Sequence, residues 1–169
     1  MNDVIEIRDE QPGDVGAVWE VNRQAFDQEQ EGRIIDALRE HGGALLSLVA
    51  IADGAVVGHI MFSPLTVGLV VGAALGPMAV LPAYQRQGIG SRLVERGVER
   101  LRSDGSPFIV VIGHPEFYPR FGFESAGAYG LTCEWDVPTA AFMVTILNPR
   151  VRGSLGGLAR YRPEFSTVG

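Results

Sequence analysis

Gly88 and Gly90 stand where an apolar segment gives way to a helical one, in the run Gln85-Arg86-Gln87-Gly88-Ile89-Gly90-Ser91. The first N–H groups of a helix have no acceptor inside it. They point outward, and the helix dipole makes that end positive. Glycines there remove side chains that would hold a ligand off the backbone. Such a junction suits a phosphate or pyrophosphate. Gln85, Arg86 and Gln87 add side-chain donors at its rim. The same glycines also serve an ordinary, tightly packed strand-to-helix turn, and the spacing alone leaves both readings open.

Two nucleotide motifs are excluded. A Walker-type loop needs Lys-Ser/Thr after its last glycine, but Ser91-Arg92 follows Gly90. A dinucleotide fingerprint needs a third glycine where Leu93 stands.

Further along, His114 directly follows a continuous apolar run, and histidine is the side chain most often used as a general base. Glu116 is two residues on. A hydrogen-bonded structural histidine is the competing reading. His41, His59 and His114 are far apart in sequence, so no metal site is expected. His59 reads as structural and Cys133 as a small packed residue.

The elements that must position these groups follow from periodicity. Leu75 to Leu81 reads as a strand running into the loop. Ile89, Leu93, Val94, Val98 and Leu101 share one helical face after it. Phe108 to Gly113 reads as a strand buried on both faces. Strand, helix and strand make one right-handed crossover with parallel pairing. Upstream, Val4 to Arg8 alternates as a first strand. Pro12-Gly13-Asp14 starts a helix whose apolar stripe is Val15, Val18, Trp19 and Phe26. A second helix carries Ile34, Ile35 and Leu38, with Gly42 as its C-terminal cap. Asp53-Gly54 joins Ser47–Ala52 to Ala55–Phe62 as a hairpin. Pro64 ends or edges that strand, and Leu65 to Val71 reads as a further strand segment. Tyr129 to Glu134 and Phe142 to Leu147 are the last strands, and the Gly- and Arg-rich tail from Asn148 is expected to wrap the surface. The order β, αα, ββ(β), α, β, α, ββ is mixed α+β with αβα layers, in a single domain over residues 1–169.

Composition agrees. Hydrophobic residues at 46% supply a core, and a net charge of −6 disfavours nucleic-acid backbones and anionic membranes. It is compatible with a cationic amine. The single cysteine, Cys133, forbids an internal disulfide and suits the cytoplasm. The N-terminal MNDVIEIRDE has no signal-peptide h-region. Leu65 to Val80 is too short and too broken by Gly and Pro to span a membrane.

Gln85, Gly88 and Gly90 fit Gln/Arg-x-x-Gly-x-Gly/Ala after a strand. In that pattern the chain resembles the GCN5-related N-acetyltransferases (GNAT). GHIMFSP (58–64), HPEFYPRFGFE (114–124) and YRPEF (161–165) resemble the bacterial group called YhbS-like. The resemblance implies the acyl-CoA N-acyltransferase fold, with a splayed central pair of parallel strands. It implies acetyl-CoA as co-substrate, held by Met78, Ala79 and Val80 and by Gln85, Arg86, Gln87, Gly88, Ile89, Gly90 and Ser91. The main-chain groups of Met78 and Val80 would meet the pantetheine. Tyr118, shortly before Gly122-Phe123, matches the family's general acid, and Phe117, Phe121 and Phe123 read as core. Glu31 lies where the family walls its acceptor site, although a solvated helical glutamate is the plainer reading. The implied partner is a small-molecule or peptide amine, without nucleic acid or membrane, and a homodimer is compatible with this. An N-acetyltransferase is favoured over a non-catalytic acyl-CoA-binding regulatory domain, because both the loop and Tyr118 are present.

Overall fold

A computed structural model describes residues 4–167 of the chain. In chain order the first elements are β1 (Ile5–Asp9), α1 (Val15–Phe26), α2 (Gln30–Glu40), β2 (Leu46–Ala52) and β3 (Ala55–Val67). Next come β4 (Val70–Val80), α3 (Ile89–Ser103), β5 (Phe108–Ile112) and β6 (Glu124–Ser125). β7 (Leu131–Cys133), β8 (Phe142–Ile146), β9 (Gly157–Arg160) and α4 (Glu164–Thr167) complete the chain. The described residues gather into two compact units. The first takes in the chain up to Phe62, Gly76–Gly97 and the segment from Pro163. The second takes in Ser63–Leu75 and Val98–Arg162.

In the first unit β1 runs antiparallel to β2, and β2 to β3. Asp53 (φ 50°) and Gly54 (φ 78°) both take the left-handed conformation of a tight hairpin turn. Val18, Ile34, Ile35 and Leu38 of the two helices pack with Val49 and Met61. Successive strand residues face opposite ways, so Ala50, Gly58 and Phe62 face α3. A Cβ on Gly58 would stand 3.2 Å from Ile89 and Leu93, and one on Gly97 would stand 2.4 Å from the Phe62 ring. Close approach of the backbones thus depends on these two glycines. At the end of α2, Gly42 (φ 74°) lets Gly43 N donate to Leu38 O at 2.7 Å, closing the helix as expected.

A polar chain crosses this unit. Asn22 Nδ2 donates to Val18 O (3.0 Å) and to His59 Nδ1 (3.2 Å). The His59 proton therefore sits on Nε2, which donates to Ser47 Oγ at 2.9 Å. Ser47 donates to one oxygen of Glu10, and Arg39 holds the other. His59 is fully buried, and burial together with the nearby Arg39 charge lowers its pKa to about 3. It is structural, as the sequence predicts.

In the second unit β4 and β5 are parallel from Ala73↔Ile109 to Leu75↔Val111. β8 pairs antiparallel with β5, and β6 with β8. β9 lies between β7, which it meets in parallel, and the end of β3, which it meets antiparallel. The core here is Leu65, Val67, Phe108, Val110, Phe142 and Val144 with their neighbours.

Five expectations are corrected. Pro64 does not end β3, because the ladder with β2 already stops at Leu46↔Phe62, so the missing N–H costs no bond to β2. Leu65 to Val71 is accordingly no separate strand: its residues belong to β3, a turn at Gly68-Leu69, and the start of β4. The buried face of α1 is Val18, Val21 and Asn22, while Val15 and Phe26 are exposed. The helix expected after β5 is a single 3-10 turn, Tyr118–Phe121, carrying Pro119 in its first turn. The tail does not merely wrap the surface; it supplies β9 and α4.

Candidate active site

The Gly88 loop is set by the end of β4. Leu81 N donates to Val57 O of β3 at 2.9 Å. Backbone groups alternate along a strand, so the N–H and C=O of Met78 and Val80 face the other edge, while the Ala79 side chain is buried. Val80 O accepts from Gln85 Nε2 at 2.9 Å. Gln87 Nε2 donates to Ala83 O at 3.3 Å. Between them, a 3-10 turn over Pro82–Tyr84 reverses the chain.

Arg86 (φ 64°) and Gly88 (φ 84°) are both left-handed. Arg92 N donates to Gly88 O at 3.1 Å, the first bond of α3. The N–H groups of Ile89, Gly90 and Ser91 precede that bond and have no helical acceptor. The first turn of α3 carries no acidic side chain to compete for them. The Ile89 side chain is buried, so only its N–H is offered outward. Gln85, Arg86, Gln87 and Gly88 are exposed. These donors, the missing Cβ at Gly88 and the lack of a carboxylate together fit a phosphate-bearing ligand.

His114 and Tyr118 lie in the second unit. Gly113 N donates to Ala141 O at 2.9 Å, fixing the end of β5. The Tyr118 ring lies against Gly113, whose Cβ would stand 2.4 Å from Cε2. Phe117 and Phe123 hold that ring edge-on at 5.0 and 5.7 Å between centroids. Burial pushes the phenol up to about 12. It is therefore protonated at neutral pH, and it makes no hydrogen bond among the described residues. Phe123 is core as expected, whereas Phe117 and Phe121 are half-buried. His114 is 84% exposed and lies 3.8 Å from Glu116, itself 77% exposed, so this pair is an open surface contact.

Glu31 sits on α2 in the first unit and accepts from Gln28 Nε2 at 3.0 Å. The next residue, Gly32, lies under the Trp19 ring, where a Cβ would stand 2.5 Å from Cε3. Cys133 is half-buried and packs against the core of the second unit, as the sequence predicts. Among the described residues no group of three His, Cys, Asp or Glu could hold a metal ion, and no helix is long and apolar enough to cross a membrane. Two features escape the sequence reading: the Gln85–Val80 clasp and the seat that Gly113 gives Tyr118. A glycine placed between a β-run and an aromatic-rich segment was the available signal for the second.

The profile of the acetyltransferase (GNAT) family matches residues 2–123. The chain belongs to the GNAT acetyltransferase family. It is 34% identical over 163 residues to a protein of Escherichia coli (strain K12) named uncharacterized N-acetyltransferase YhbS, covering 95% of this chain and 98% of that one. The crystal structure of the GNAT family N-acetyltransferase YhbS from Escherichia coli in complex with CoA is similar over 100% of this chain and 96% of that one, at a TM-score of 0.94 and 33% identity. A Brucella melitensis GNAT family acetyltransferase in complex with acetyl-CoA is similar at a TM-score of 0.82 and 34% identity, covering 96% of this chain and 98% of that one. The expected GNAT fold and the likeness to the YhbS group are both borne out. Membership makes this chain an N-acetyltransferase.

Proposed function

We propose that the protein moves an acetyl group from acetyl-CoA to a primary amine by direct attack in a ternary complex. The observation that carries this is the set of N–H groups at Ile89, Gly90 and Ser91, open to an anion beside the clasped loop. The YhbS and Brucella relatives were solved with CoA and acetyl-CoA, which suits the same ligand class. The chain acts as one N-acetyltransferase domain, since the family match runs from residues of the first unit into the second. A single free cysteine, Cys133, suits a cytoplasmic setting.

Acetyl-CoA supplies an activated acyl group. The loop N–H groups and Arg86 bind its pyrophosphate. The outward main-chain groups of Met78 and Val80 line up the pantetheine, and the Val80 N–H faces the thioester oxygen. Holding donor and amine together supplies of order 7–11 kcal/mol in favourable cases. Tyr118, protonated at neutral pH, gives its proton to the departing sulfur. The amine loses a proton to water or to His114, and Glu31 stands at the acceptor wall.

The test is CoA release with acetyl-CoA and a panel of primary amines. All fourteen basic residues are arginine and none is lysine, so acetylated amine in the products comes from the added acceptor rather than from side chains of the enzyme. Turnover with at least one amine supports the proposal. CoA binding without turnover across the panel would instead indicate an acyl-CoA-binding regulatory domain.

A further inference from the structure

The second unit holds a groove lined by no residue to which the proposed reaction gives a role. It has room for about 210 Å³ and lies beside β7 and the segment that leads into β8. Leu131, Val137 and Phe142 form apolar walls, Trp135 an aromatic one, and Asp136 and Thr139 add polar groups. The Trp135 ring is braced before any ligand arrives. It meets Tyr161 edge-on with centroids 4.8 Å apart, and Tyr161 N donates to Glu134 Oε1 at 2.7 Å. Asp136 is exposed and makes no ion pair or hydrogen bond among the described residues. No arginine or histidine lines the groove.

These facts select a ligand class. An uncompensated carboxylate beside an indole ring attracts a cation by charge, and a cation seated over the ring gains from its quadrupole as well. An anion is repelled. A bare divalent metal ion is poorly served, because one carboxylate supplies too few of the roughly six to eight oxygens such ions take. The apolar walls call for carbon as well as charge. The volume lies below the ~300–1,000 Å³ of sites for drug-sized molecules, so the ligand is small.

We infer that this groove binds a small organic ammonium ion, with its charge between Asp136 and Trp135 and its alkyl part against Leu131, Val137 and Phe142. The net charge of −6 adds a general attraction for cations.

The test uses the full ¹⁵N-labelled chain without acetyl-CoA, so it stands apart from the proposed catalysis. The two tryptophans give two indole N–H resonances, assigned with Trp135→Phe. The chain is titrated with n-butylammonium chloride and, in parallel, with n-butanol and with sodium chloride at equal ionic strength. The Trp135 signal should shift saturably with butylammonium, only weakly with butanol, and not with salt. Asp136→Asn, at an exposed site, should keep the fold and weaken butylammonium about tenfold while leaving butanol unchanged, as loss of a charge-assisted contact implies. Equal binding of butanol and butylammonium, unchanged binding by Asp136→Asn, or no saturable shift would each overturn the inference.

Discussion

Gln85 Nε2 donates to the carbonyl of Val80 at 2.9 Å, so the loop that opens α3 is tied back to the strand that feeds it. The bond spans five residues and encloses the 3-10 turn at Pro82–Tyr84. It adds to the Gln87–Ala83 bond in holding a loop that contains two left-handed residues, Arg86 and Gly88. Gln85→Ala should weaken acetyl-CoA binding by roughly three- to tenfold, in line with losing one neutral hydrogen bond. The residue is exposed, so melting should shift little. Calorimetric titration beside a thermal melt separates the two. Unchanged affinity would mean that the loop holds its shape without the clasp.

Arg86 offers a second handle. A non-glycine residue at φ 64° carries a conformational cost that glycine would relieve. Arg86→Gly should therefore leave stability within about 1 kcal/mol of the parent, because relief in the folded state offsets extra freedom in the unfolded one. Affinity for acetyl-CoA should fall only modestly, and the deficit should shrink at high salt, where exposed charges are screened. Complete loss of binding would transfer the main role from the backbone N–H groups to this side chain.

Tyr118→Phe keeps the ring and removes the hydroxyl. kcat should fall by roughly 10²–10⁴ with little change in the KM for acetyl-CoA, the pattern of an acid used in the transition state. Because burial raises the phenol to about 12, its ionisation should add no alkaline limb to the rate below that pH. Gly113→Ala tests the seat of the ring without touching the hydroxyl. Its Cβ would stand 2.4 Å from the ring, so it should cost about 1–3 kcal/mol of stability and lower kcat as well. Steady-state kinetics on both variants checks this, and a fully active Gly113→Ala enzyme would show that ring position does not matter.

His59 sets an acid limit on stability. Its folded pKa is lowered to about 3, against roughly 6.5 in an unfolded chain. The unfolded state then binds the extra proton, so stability rises with pH through this interval. The contribution is complete above about pH 6.5 and is lost progressively as pH falls toward 3. Melting temperatures of the parent should drop across that window, and His59→Gln should drop less steeply from a lower starting value. Parallel slopes would assign the acid loss to carboxylates such as Asp14, whose pKa Arg8 lowers.

The sequence carried much of this. The stripe from Ile89 to Leu101 and the Asp53-Gly54 hairpin rest on local rules, and both stand as read. Long-range effects were less legible. Pro64 looks like a strand end until the ladder with β2 is known to stop at Phe62. Val15 and Phe26 satisfy a helical period yet are exposed, for they stand at the first and last positions of α1, where the helix leaves the core. β9 pairs with two strands distant in sequence, and no local pattern announces it. At the site, the glycines and Gln85 were legible because the junction is contiguous. The seat under Tyr118 was not, since it depends on Gly113 having no Cβ.

In the proposed reaction the start of α3 binds the phosphates of acetyl-CoA. Gly88 is a poor place to test it, since any side chain there is strained at φ 84°. Gly90 lies in the first turn of α3 and does not need a left-handed backbone. Calorimetric titration of acetyl-CoA into the parent, Gly90→Ala and Gly90→Glu is the direct measurement. The parent should bind, Gly90→Ala should bind more weakly, and folded Gly90→Glu should show no binding, because a carboxylate then occupies the anion site. Parent-like affinity in a folded Gly90→Glu protein would contradict the account.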